Sequence, residues 1–460
     1  MVMIKTRPAL QHKNSTVLRS PLANAHVTDK FWSDHEEEAV LQFGTAGLLI
    51  EKGAMLGAQG GLKIPAEAAR QLLLPDLETL GRVVFNNRVI LGPLIGIFVS
   101  EKDIELLAQG LCKNQNFYKY VNECDRLEAL ACFFSLNNIF PGQWLVRGWF
   151  YKKQLAREGL WTSRLFPLPS VIYDRCFGAH GRSDGTKLRE MLSELRQVTI
   201  FNAIPKLCKW ETYQVLRQTP ELASCLPRTA ILYTNKQVAA AVNDCEAIYL
   251  KPDGLSRGHG VFRLSKVGDG FLLESRKPEQ NVKRHLKNLH NIQSFLTSYG
   301  EAGGGYIIQE KIPLAKYRGK QFDMRVLCQK DINGKWIVAG TAVRVAARKS
   351  IITSPRSGGS VISWPHALKS VFRQKPGQHN GIAGKVTRIA LIACQAIEDH
   401  FGCCGELGLD MGIDHKGKVW IIEVNAKPLK VSLSRLNDQH LEDEIYANPI
   451  RFACHLAVNG

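Results

Sequence analysis

The apolar positions of the chain fall in short runs separated by glycine-rich turns, a pattern typical of strands joined by tight connections. Over residues 39–90, short runs alternate with turns such as FGTAG, and IPAEAARQLLL predicts one helix. The apolar run VILGPLIGIFVS at 89–100 predicts a buried strand, followed by helices near 101–113 and 120–136. PLPSVIYDRC at 167–176 predicts another strand. This alternation predicts a small α/β domain after a β-rich one.

The second half of the chain mixes hairpins and helices. Residues 209–232 predict a helix, a break and an extended exit, and EAIYLKP at 246–252 predicts a strand. Asn333-Gly334 is a typical hairpin turn, a long helix covers about 382–400, and ELGLDMGIDHKGKVWIIEVN predicts a final hairpin. The predicted divisions are a flexible basic segment 1–38, a β-rich domain 39–90, an α/β domain 91–203, an α+β unit 204–445 and a C-terminal tail 446–460.

The final hairpin carries an unusual polar face. Counting back from its turn pairs Asp414 with Val419 and places Asp410 opposite Glu423. Residues that are opposite each other, or two apart on one strand, share a face, so Asp410, Glu423 and Asn425 project together. The other face is apolar and predicts the core side, with Leu407, Leu409, Met411, Ile413, Trp420, Ile422 and Val424.

Two carboxylates on one face, with no cation between them, repel each other. Two carboxylates and an amide oxygen suit Mg²⁺, with phosphate and water oxygens completing the shell. The alternative is that Asp410, Glu423 and Asn425 are ordinary solvated residues. The apolar reverse face of the same strands favours the metal site.

The hairpin around Asn333-Gly334 carries arginines. The same count pairs Asp323 with Arg344 and Arg325 with Ala342, so the three charged side chains share a face unless a bulge shifts the register. A cross-strand salt bridge is the simple interpretation. Two arginines for one aspartate would leave a surplus cation, which suits a phosphate group.

A glycine-rich loop follows Lys251 at the end of a predicted strand. Gly254, Gly258 and Gly260 would let backbone N–H groups approach a phosphate closely, although an ordinary β-turn fits the residues equally well. The later strand YIIQEKI ends near Gln309-Glu310, and the backbone at such an edge can bind an adenine.

Charge indicates an anionic partner. The net charge is +18, and the 66 residues between Asp331 and Glu398 contain no acidic side chain. This basic segment is either a solvated face or the wall of an anion-binding cleft. Only charge favours nucleic acid, because no aromatic stacking motif accompanies it.

Cysteine usage and hydropathy indicate an intracellular protein. The 12 cysteines are spread from 112 to 454 with no C-x-x-C pair, which favours reduced thiols over disulfides or zinc. No apolar run is long enough to span a bilayer, and the N-terminus has no signal-peptide core. We therefore expect a cytoplasmic protein without a membrane partner.

Taken in order, these segments resemble the ATP-grasp superfamily. They are Lys209 before a helix, LKPDGLSRGHGV, YIIQEKI, FDMRV, VRVA and LGLDMGIDHKGKVWIIEVNAKP. The spacing from Asp410 to Glu423 and Asn425 is similar to the Mg²⁺ signature of D-alanine–D-alanine ligase and of glutamate ligases that modify ribosomal proteins. The resemblance implies two α+β subdomains that clamp ATP.

The chain is more similar still to the YheC/YheD family of endospore-associated ATP-grasp proteins. LGPLIGIF, PLPSVIYDR, FDMRVLCQK, SPRSGGSV and VWIIEVNAKP carry this resemblance, which covers roughly 40 to 445. It implies that 91–203 is a pre-ATP-grasp domain and that 204–445 is the ATP-grasp domain. Endospore association is a further expectation.

The resemblance also implies roles for individual residues. Lys209 and Lys251 would hold the α- and β-phosphates, under a loop containing Ser256, Gly258 and Gly260. Gln309, Glu310 and Ile312 would line the adenine pocket. Arg325 and Arg344 would face the γ-phosphate and an acyl-phosphate. One or two Mg²⁺ ions, or Mn²⁺ in their place, would bind Asp410, Glu423 and Asn425.

The implied activity is an ATP-dependent carboxylate–amine or carboxylate–thiol ligase that acts through an acyl-phosphate, with an anionic carboxylate or peptide as substrate. The alternative is a catalytically silent ATP-binding structural protein of the endospore coat. Two positions depart from the ligases. Gly408 stands where many carry arginine, and Leu429-Lys430 stands where a glycine is common.

Overall fold

A computed structural model describes most of the chain. The described residues are 2–4, 38–51, 62–64, 66–75, 82–85, 88–111, 115–154, 157–204, 207–255, 259–276, 281–300, 305–347, 350, 353, 358–373, 377 and 379–459.

The described strands are, in chain order, β1 Val2–Ile4, β2 Glu38–Phe43, β3 Ala46–Glu51, β4 Leu62–Ile64, β5 Arg82–Phe85, β6 Arg88–Leu91, β7 Leu94–Phe98, β8 Leu130–Phe134, β9 Ile139–Phe140, β10 Leu145–Gln154, β11 Arg157–Pro167, β12 Val171–Asp174, β13 Thr199–Phe201, β14 Thr229–Ile231, β15 Ala247–Pro252, β16 Phe262–Val267, β17 Gly270–Arg276, β18 Asn281–Leu286, β19 Tyr306–Glu310, β20 Lys316–Tyr317, β21 Lys320–Lys330, β22 Trp336–Val345, β23 Ser360–Ser363, β24 Glu406–Ile413 and β25 Val419–Asn425. The described α-helices are α1 Ala66–Gln71, α2 Glu101–Ala108, α3 Gln115–Arg126, α4 Gly178–Leu192, α5 Lys209–Gln218, α6 Pro220–Ala223, α7 Asn235–Asp244, α8 Ile292–Gly300, α9 Trp364–Val371, α10 His379–Phe401, α11 Val431–Ser434 and α12 Gln439–Asn459.

A seven-stranded sheet occupies the first half of the chain, in the order β11-β10-β8-β7-β12-β13 with β9 beside β10. Strands β8, β7, β12 and β13 run parallel to one another. Every side chain of β7, β8 and β12 is buried, as expected for parallel strands covered on both faces. The predicted helix over 120–136 is wrong in its last turns, because α3 ends at Arg126 and the apolar run LACFF is strand β8.

Two further sheets form the second half of the chain. The central sheet has the order β14-β19-β15-β16-β17-β18. The C-terminal sheet has the order β23-β22-β21-β24-β25 with β20 beside β21. Helix α10 packs on the C-terminal sheet through buried residues such as Val386, Ala390 and Cys394. One face of the sheet therefore lies in the core under α10, and the other face, partly covered by α11 and α12, carries Asp323, Arg325, Arg344 and Asp410.

The ends of the chain contain regular structure where they are described. Strand β1, which lies within the segment predicted to be flexible, pairs with β4. The rest of residues 1–37 lies outside the described residues. Residues 446–459, predicted as a tail, continue helix α12, where Ile450, Phe452 and Ala453 are buried. Among the described residues, no helix combines the length and the hydropathy needed to cross a bilayer.

The register of the two hairpins decides which side chains share a face. Asp323 pairs with Arg344 and Arg325 with Ala342, as predicted. Asp410 pairs with Glu423, also as predicted, but Ile413 rather than Asp414 pairs with Val419. Asp414 instead closes the loop, since its Oδ1 accepts hydrogen bonds from the backbone N–H groups of Lys416 and Lys418.

The register of the final hairpin shifts by one residue between Asp410 and Met411, at a β-bulge. Ile422 has no opposite residue there, so the alternation of faces reverses toward the turn. Val419 and Ile421 consequently join Val424 in the core, whereas Trp420 and Ile422 are only half-buried. The prediction that Trp420 and Ile422 lie on the core side was therefore wrong.

Candidate nucleotide and metal site

The charged face of the C-terminal sheet lies close to the start of α5 and to strands β15 and β19 of the central sheet. Lys209, the first residue of α5, has its Nζ 3.8 Å from Glu423 Oε1 on β25. Lys251 on β15 donates from Nζ to Gln309 Oε1 on β19 at 2.5 Å. The structure therefore brings together candidate residues that lie more than 200 positions apart in the sequence.

Three oxygen-bearing side chains form the candidate metal edge. Asp410 and Glu423 are cross-strand partners, and Asn425 lies opposite Gly408. The amide of Asn425 donates from Nδ2 to Gly408 O at 3.3 Å, which leaves its Oδ1 as the outward acceptor. Two carboxylates and an amide oxygen are hard ligands of the kind that Mg²⁺ prefers, so the donor set fits this ion. Among the described residues, no group of three or more His, Cys, Asp or Glu side chains offers a rival site.

The arginines are engaged by carboxylates in this structure. Arg325 Nε donates to Asp410 Oδ1 at 2.7 Å, and Arg344 Nη2 lies 3.0 Å from Asp410 Oδ2. Arg344 also forms a two-point pair with Asp323, at 2.6 and 2.7 Å. The expectation of a surplus cation was wrong, because two arginines face two aspartates. The expectation that Asp410 has no cation beside it was wrong for the same reason.

These pairs set the protonation states at the metal edge. Burial acts to raise the pKa of Asp410, but the charges of Arg325 and Arg344 outweigh it and hold this pKa below its usual value. Burial acts to lower the pKa of Arg344, and Asp323 and Asp410 raise it above the usual arginine value. Asp410 is thus a carboxylate, the form that a metal ion requires.

The two lysines differ in their surroundings. Lys209 donates from Nζ to the backbone carbonyls of Pro252 and Leu255, which open the glycine-rich loop. For Lys251, burial lowers the pKa to about 8, although Glu423 acts in the opposite direction. Lys209 Nζ thus contacts both sheets, through Pro252 and Glu423, and Lys251 lies close enough to Glu423 and Asp410 to be affected by their charges.

The residues expected to line the adenine pocket, Gln309, Glu310 and Ile312, lie at and just after the end of β19. Ile312 is buried, and Gln309 bridges Lys251 and Thr229, to which its Nε2 donates at 3.1 Å. The side chain of Glu310, however, accepts two hydrogen bonds from Arg228, from the backbone N at 2.9 Å and from Nε at 2.8 Å. The backbone N–H of Glu310 also donates to Arg228 O at 3.0 Å, so both its carboxylate and its N–H bind the residue that precedes β14.

The glycine-rich loop is described only in part. Ser256 and Gly258 lie outside the described residues. Gly260 has φ +68°, and a Cβ there would lie 2.7 Å from the Pro252 side chain. Only glycine fits this position without strain, so the end of the loop folds tightly back onto β15.

A cavity adjoins the candidate site on the side of α5. It is lined by Lys209, Gln309 and Glu423 and by apolar side chains that include Tyr213, Leu226 and Ile422. Thr212, which is buried, also lines it. The bulge that turned Ile422 out of the core places this side chain on the cavity wall, beside the metal edge.

Sequence reasoning missed the residues that fasten the metal edge to the seven-stranded sheet. Glu406 is fully buried and accepts hydrogen bonds from Tyr173 and from Arg175, both at 2.6 Å. Lys430 Nζ lies 3.0 Å from the other oxygen of Glu406. These residues come from distant segments of the chain, so no local pattern groups them. The stretch NAKPLK, which ends in Lys430, was the one feature of the sequence that drew attention to this part of the structure.

The two departures from the ligases have structural causes. A Cβ at Gly408 would lie 2.7 Å from Pro428 Cβ and 3.6 Å from Arg325 Cδ, so this chain has no room there for a side chain. Lys430 is buried between the rings of Tyr120 and Tyr446, at 5.6 and 4.5 Å, and serves the ion pair with Glu406. Both positions are therefore packing positions in this structure.

The sequence of the chain is similar to one protein family and to two known relatives. A sequence profile described as YheC/D like ATP-grasp matches residues 197–456. The endospore coat-associated protein YheD of Bacillus subtilis (strain 168) is 27% identical over 395 residues, covering 84% of each chain. The endospore coat-associated protein YheC of the same strain is 23% identical over 302 residues, covering 64% of this chain and 80% of the relative.

Among solved structures, VanG D-Ala:D-Ser ligase from Enterococcus faecalis gives a TM-score of 0.45 at 12% identity, covering 80% of this chain and 100% of the ligase. D-alanyl-alanine synthetase A from Vibrio cholerae O1 gives a TM-score of 0.44 at 10% identity, covering 80% of this chain and 99% of the synthetase.

Proposed function

The chain belongs to the YheC/D-like ATP-grasp family and has the ATP-grasp fold, and from this premise we propose that it is an ATP- and Mg²⁺-dependent ligase. It joins a carboxylate to an amine or a thiol and releases ADP and phosphate. The observation that carries the proposal is the meeting of Lys209, Lys251, Arg325 and Arg344 with the carboxylates Asp410 and Glu423 at one edge.

In the proposed reaction, the γ-phosphoryl group passes from ATP to the substrate carboxylate, which gives ADP and an acyl-phosphate. The amine or thiol then attacks the acyl carbon, loses its proton and displaces inorganic phosphate. Lys209 and Lys251 bind and orient the α- and β-phosphates. Arg325 and Arg344 lie beside Asp410, where charge builds up on the transferred group, and stabilise it electrostatically.

The metal edge has a separate role in this proposal. Mg²⁺ bound to Asp410, Glu423 and Asn425 would supply charge neutralisation to the phosphate oxygens. The proposal requires no covalent intermediate on the protein, because positioning and electrostatic stabilisation suffice for phosphoryl transfer. Gln309, Glu310 and Ile312 would line the adenine pocket, as the family resemblance implies.

We propose that the protein acts in association with the endospore coat, because the names of the two Bacillus relatives place them there. The basic segment 332–397 favours an anionic acceptor or donor, such as an acidic peptide. The alternative function, an ATP-binding coat protein without turnover, shares the nucleotide site and differs only in the chemical step.

Incubating the full chain with Mg-ATP and pools of amino acids or short peptides, and following ADP release, separates the two functions. The ligase predicts ADP release that depends on one pool and is lost in Glu423→Gln. ATP binding without turnover in every pool supports the structural role. If Glu423→Gln and Asp410→Asn bind Mg-ATP as tightly as the wild type, the assignment of the metal edge is wrong.

A further inference from the structure

The metal edge ends in a segment that is held from outside its own sheet. Asn425 is the last residue of β25, and the chain leaves the sheet immediately after it. Residues that follow a strand end are normally free to move, because no ladder hydrogen bonds hold them. Here the next two residues, Ala426 and Lys427, are both fastened to the seven-stranded sheet.

Asn202 holds the first of these residues. It directly follows β13, is 1% exposed and has φ +55°. Its Nδ2 donates to Ala426 O and to Glu406 O, both at 2.6 Å. Its Oδ1 accepts from the backbone N–H groups of Gly405 and Glu406 at 2.9 and 3.0 Å. One amide thus uses both donors and both lone pairs to join β24 to the segment after β25.

Asp174 holds the second residue. It is the last residue of β12, the parallel neighbour of β13, and is 1% exposed. Its Oδ1 lies 2.6 Å from Lys427 Nζ and accepts from Cys176 N at 3.0 Å. Lys427 Nζ also donates to Cys176 O at 3.1 Å. The buried ion pair and the two backbone hydrogen bonds together hold Lys427 at the end of β12.

The two contacts act on adjacent positions in the chain. Asn202 fixes a backbone carbonyl and Asp174 fixes the next side chain, so together they fix the direction in which the chain leaves Asn425. A ligand oxygen displaced by a fraction of an ångström binds a metal ion poorly, and partners of the ligands set such positions.

We infer that Asn202 and Asp174 are positioning residues of the metal edge, through which the seven-stranded sheet holds Asn425 in place for the divalent cation. The inference rests on the proposed function, since it presumes that Asp410, Glu423 and Asn425 bind the ion. It adds that the first half of the chain is required for metal binding and is more than a neighbouring domain.

Two nearly isosteric variants test this in the full chain. Asn202→Asp keeps the oxygen that accepts from the N–H groups of Gly405 and Glu406. It replaces the donating Nδ2 by a second oxygen, which faces the carbonyls of Glu406 and Ala426. Asp174→Asn removes the charge that holds Lys427. The matched control is Glu123→Gln, which also removes a buried charge. Glu123 on α3 joins the first half of the chain to α12 in the second half, where Arg451 Nε donates to Glu123 Oε1 at 2.7 Å.

Three quantities are measured for each protein: the Kd of Mn²⁺ with saturating ADP, the Kd of ADP in EDTA, and Tm. For both test variants we expect the Mn²⁺ Kd to rise about 10–100-fold, as for other partners of metal ligands, with the ADP Kd in EDTA within about threefold of wild type. Glu123→Gln should lower Tm and leave both Kd values unchanged.

The outcomes separate this inference from the proposed function. A wild-type chain that binds ADP no better with Mn²⁺ than in EDTA overturns both. A wild type with metal-dependent binding and test variants with the wild-type Mn²⁺ Kd overturn the positioning role alone. Equal weakening of both Kd values shows a purely structural role and also overturns it. If Asn202→Asp fails to fold, Asp174→Asn decides the question with the same readouts.

Discussion

Arg325 and Asp410 are bound to each other across β21 and β24, with Arg325 Nε 2.7 Å from Asp410 Oδ1. The proposed phosphate-binding cation and the proposed metal ligand thus neutralise each other in the protein itself. The nucleotide phosphates compete with Asp410 for Arg325, and the metal ion competes with Arg325 for Asp410. Binding of either ligand therefore frees the residue that the other ligand binds. Metal and nucleotide binding should therefore be coupled.

The first prediction concerns Arg325→Gln. Removing this cation frees one side of Asp410, so Mn²⁺ without nucleotide should bind about tenfold more tightly, equivalent to about 1.4 kcal/mol. The same variant should bind Mg-ATP more weakly, because a phosphate partner is lost. Isothermal titration with Mn²⁺ alone and with Mg-ATP measures both effects, and affinities that fall together would exclude the coupling.

The second prediction concerns pH and Lys251. Burial lowers its pKa to about 8, so the ammonium form that attracts phosphate is lost as the pH rises through this value. The affinity for ADP in EDTA should be nearly constant up to about pH 7 and fall about tenfold by pH 9, the limit for losing one proton with a pKa near 8. Titrations across this range measure the profile.

Lys251→Arg is the matched control, because a guanidinium stays charged over the whole range. Its ADP affinity should be flat between pH 7 and 9. A parallel decline in both proteins would assign the pH dependence to another group.

Counting residues around a turn predicted the partners Asp323–Arg344 and Asp410–Glu423, although each hairpin has a register shift between these partners and its turn. In the final hairpin the count was one residue out between the turn and the bulge, where Val419 pairs with Ile413, and became correct beyond it. The bulge also places Ile422 outside the core. An extra residue in one strand leaves no clear signal in an apolar run such as VWIIEV.

Contacts between distant segments were beyond sequence reasoning. Asn202 follows the short strand Thr199–Phe201 and looks like an ordinary turn residue, yet it is buried and binds residues more than 200 positions away. The strand β8 was read as helix because a buried run of five apolar residues has no period to distinguish the two. The prediction of a surplus cation was wrong because Arg325 and Arg344 were both weighed against Asp323 alone, whereas both pair with Asp410 on a different hairpin.

The third prediction tests the buried ion pairs around Glu406. Burial acts to raise the pKa of this carboxyl, but Lys430 and Arg175 hold it below its usual value. Glu406→Gln leaves two buried cations without their counter-charge, so the free energy of unfolding should fall by about 3–5 kcal/mol. Urea denaturation of the full chain measures this loss.

Glu246→Gln provides the comparison for Glu406→Gln. Glu246 pairs with Lys311 at 2.5 Å, but its side chain is 81% exposed. Exposed pairs are weak, so its loss should change the free energy of unfolding by less than about 1 kcal/mol. Similar losses in the two variants would contradict the distinction between the buried and the exposed pair.

The fourth prediction concerns the glycine at the base of the metal edge. Gly408 lies opposite Asn425, and a Cβ there would lie 2.7 Å from Pro428 Cβ, closer than side chains pack. Gly408→Ala must therefore push the segment after Asn425 outward. We expect the Mn²⁺ Kd in the presence of ADP to rise at least about tenfold, as for the loss of a partner of a metal ligand, with little change in ADP binding in EDTA.

Gly384→Ala is the control for this substitution. Gly384 lies in α10, and outside the neighbouring backbone of its own helix no atom lies within 4 Å of an added Cβ. Alanine favours a helix over glycine by up to about 1 kcal/mol. It should bind Mn²⁺ and ADP like the wild type and unfold at the same or a slightly higher temperature. Wild-type Mn²⁺ affinity in Gly408→Ala would show that Pro428 can move without displacing Asn425, and that the close packing at Gly408 does not set the geometry of the metal edge.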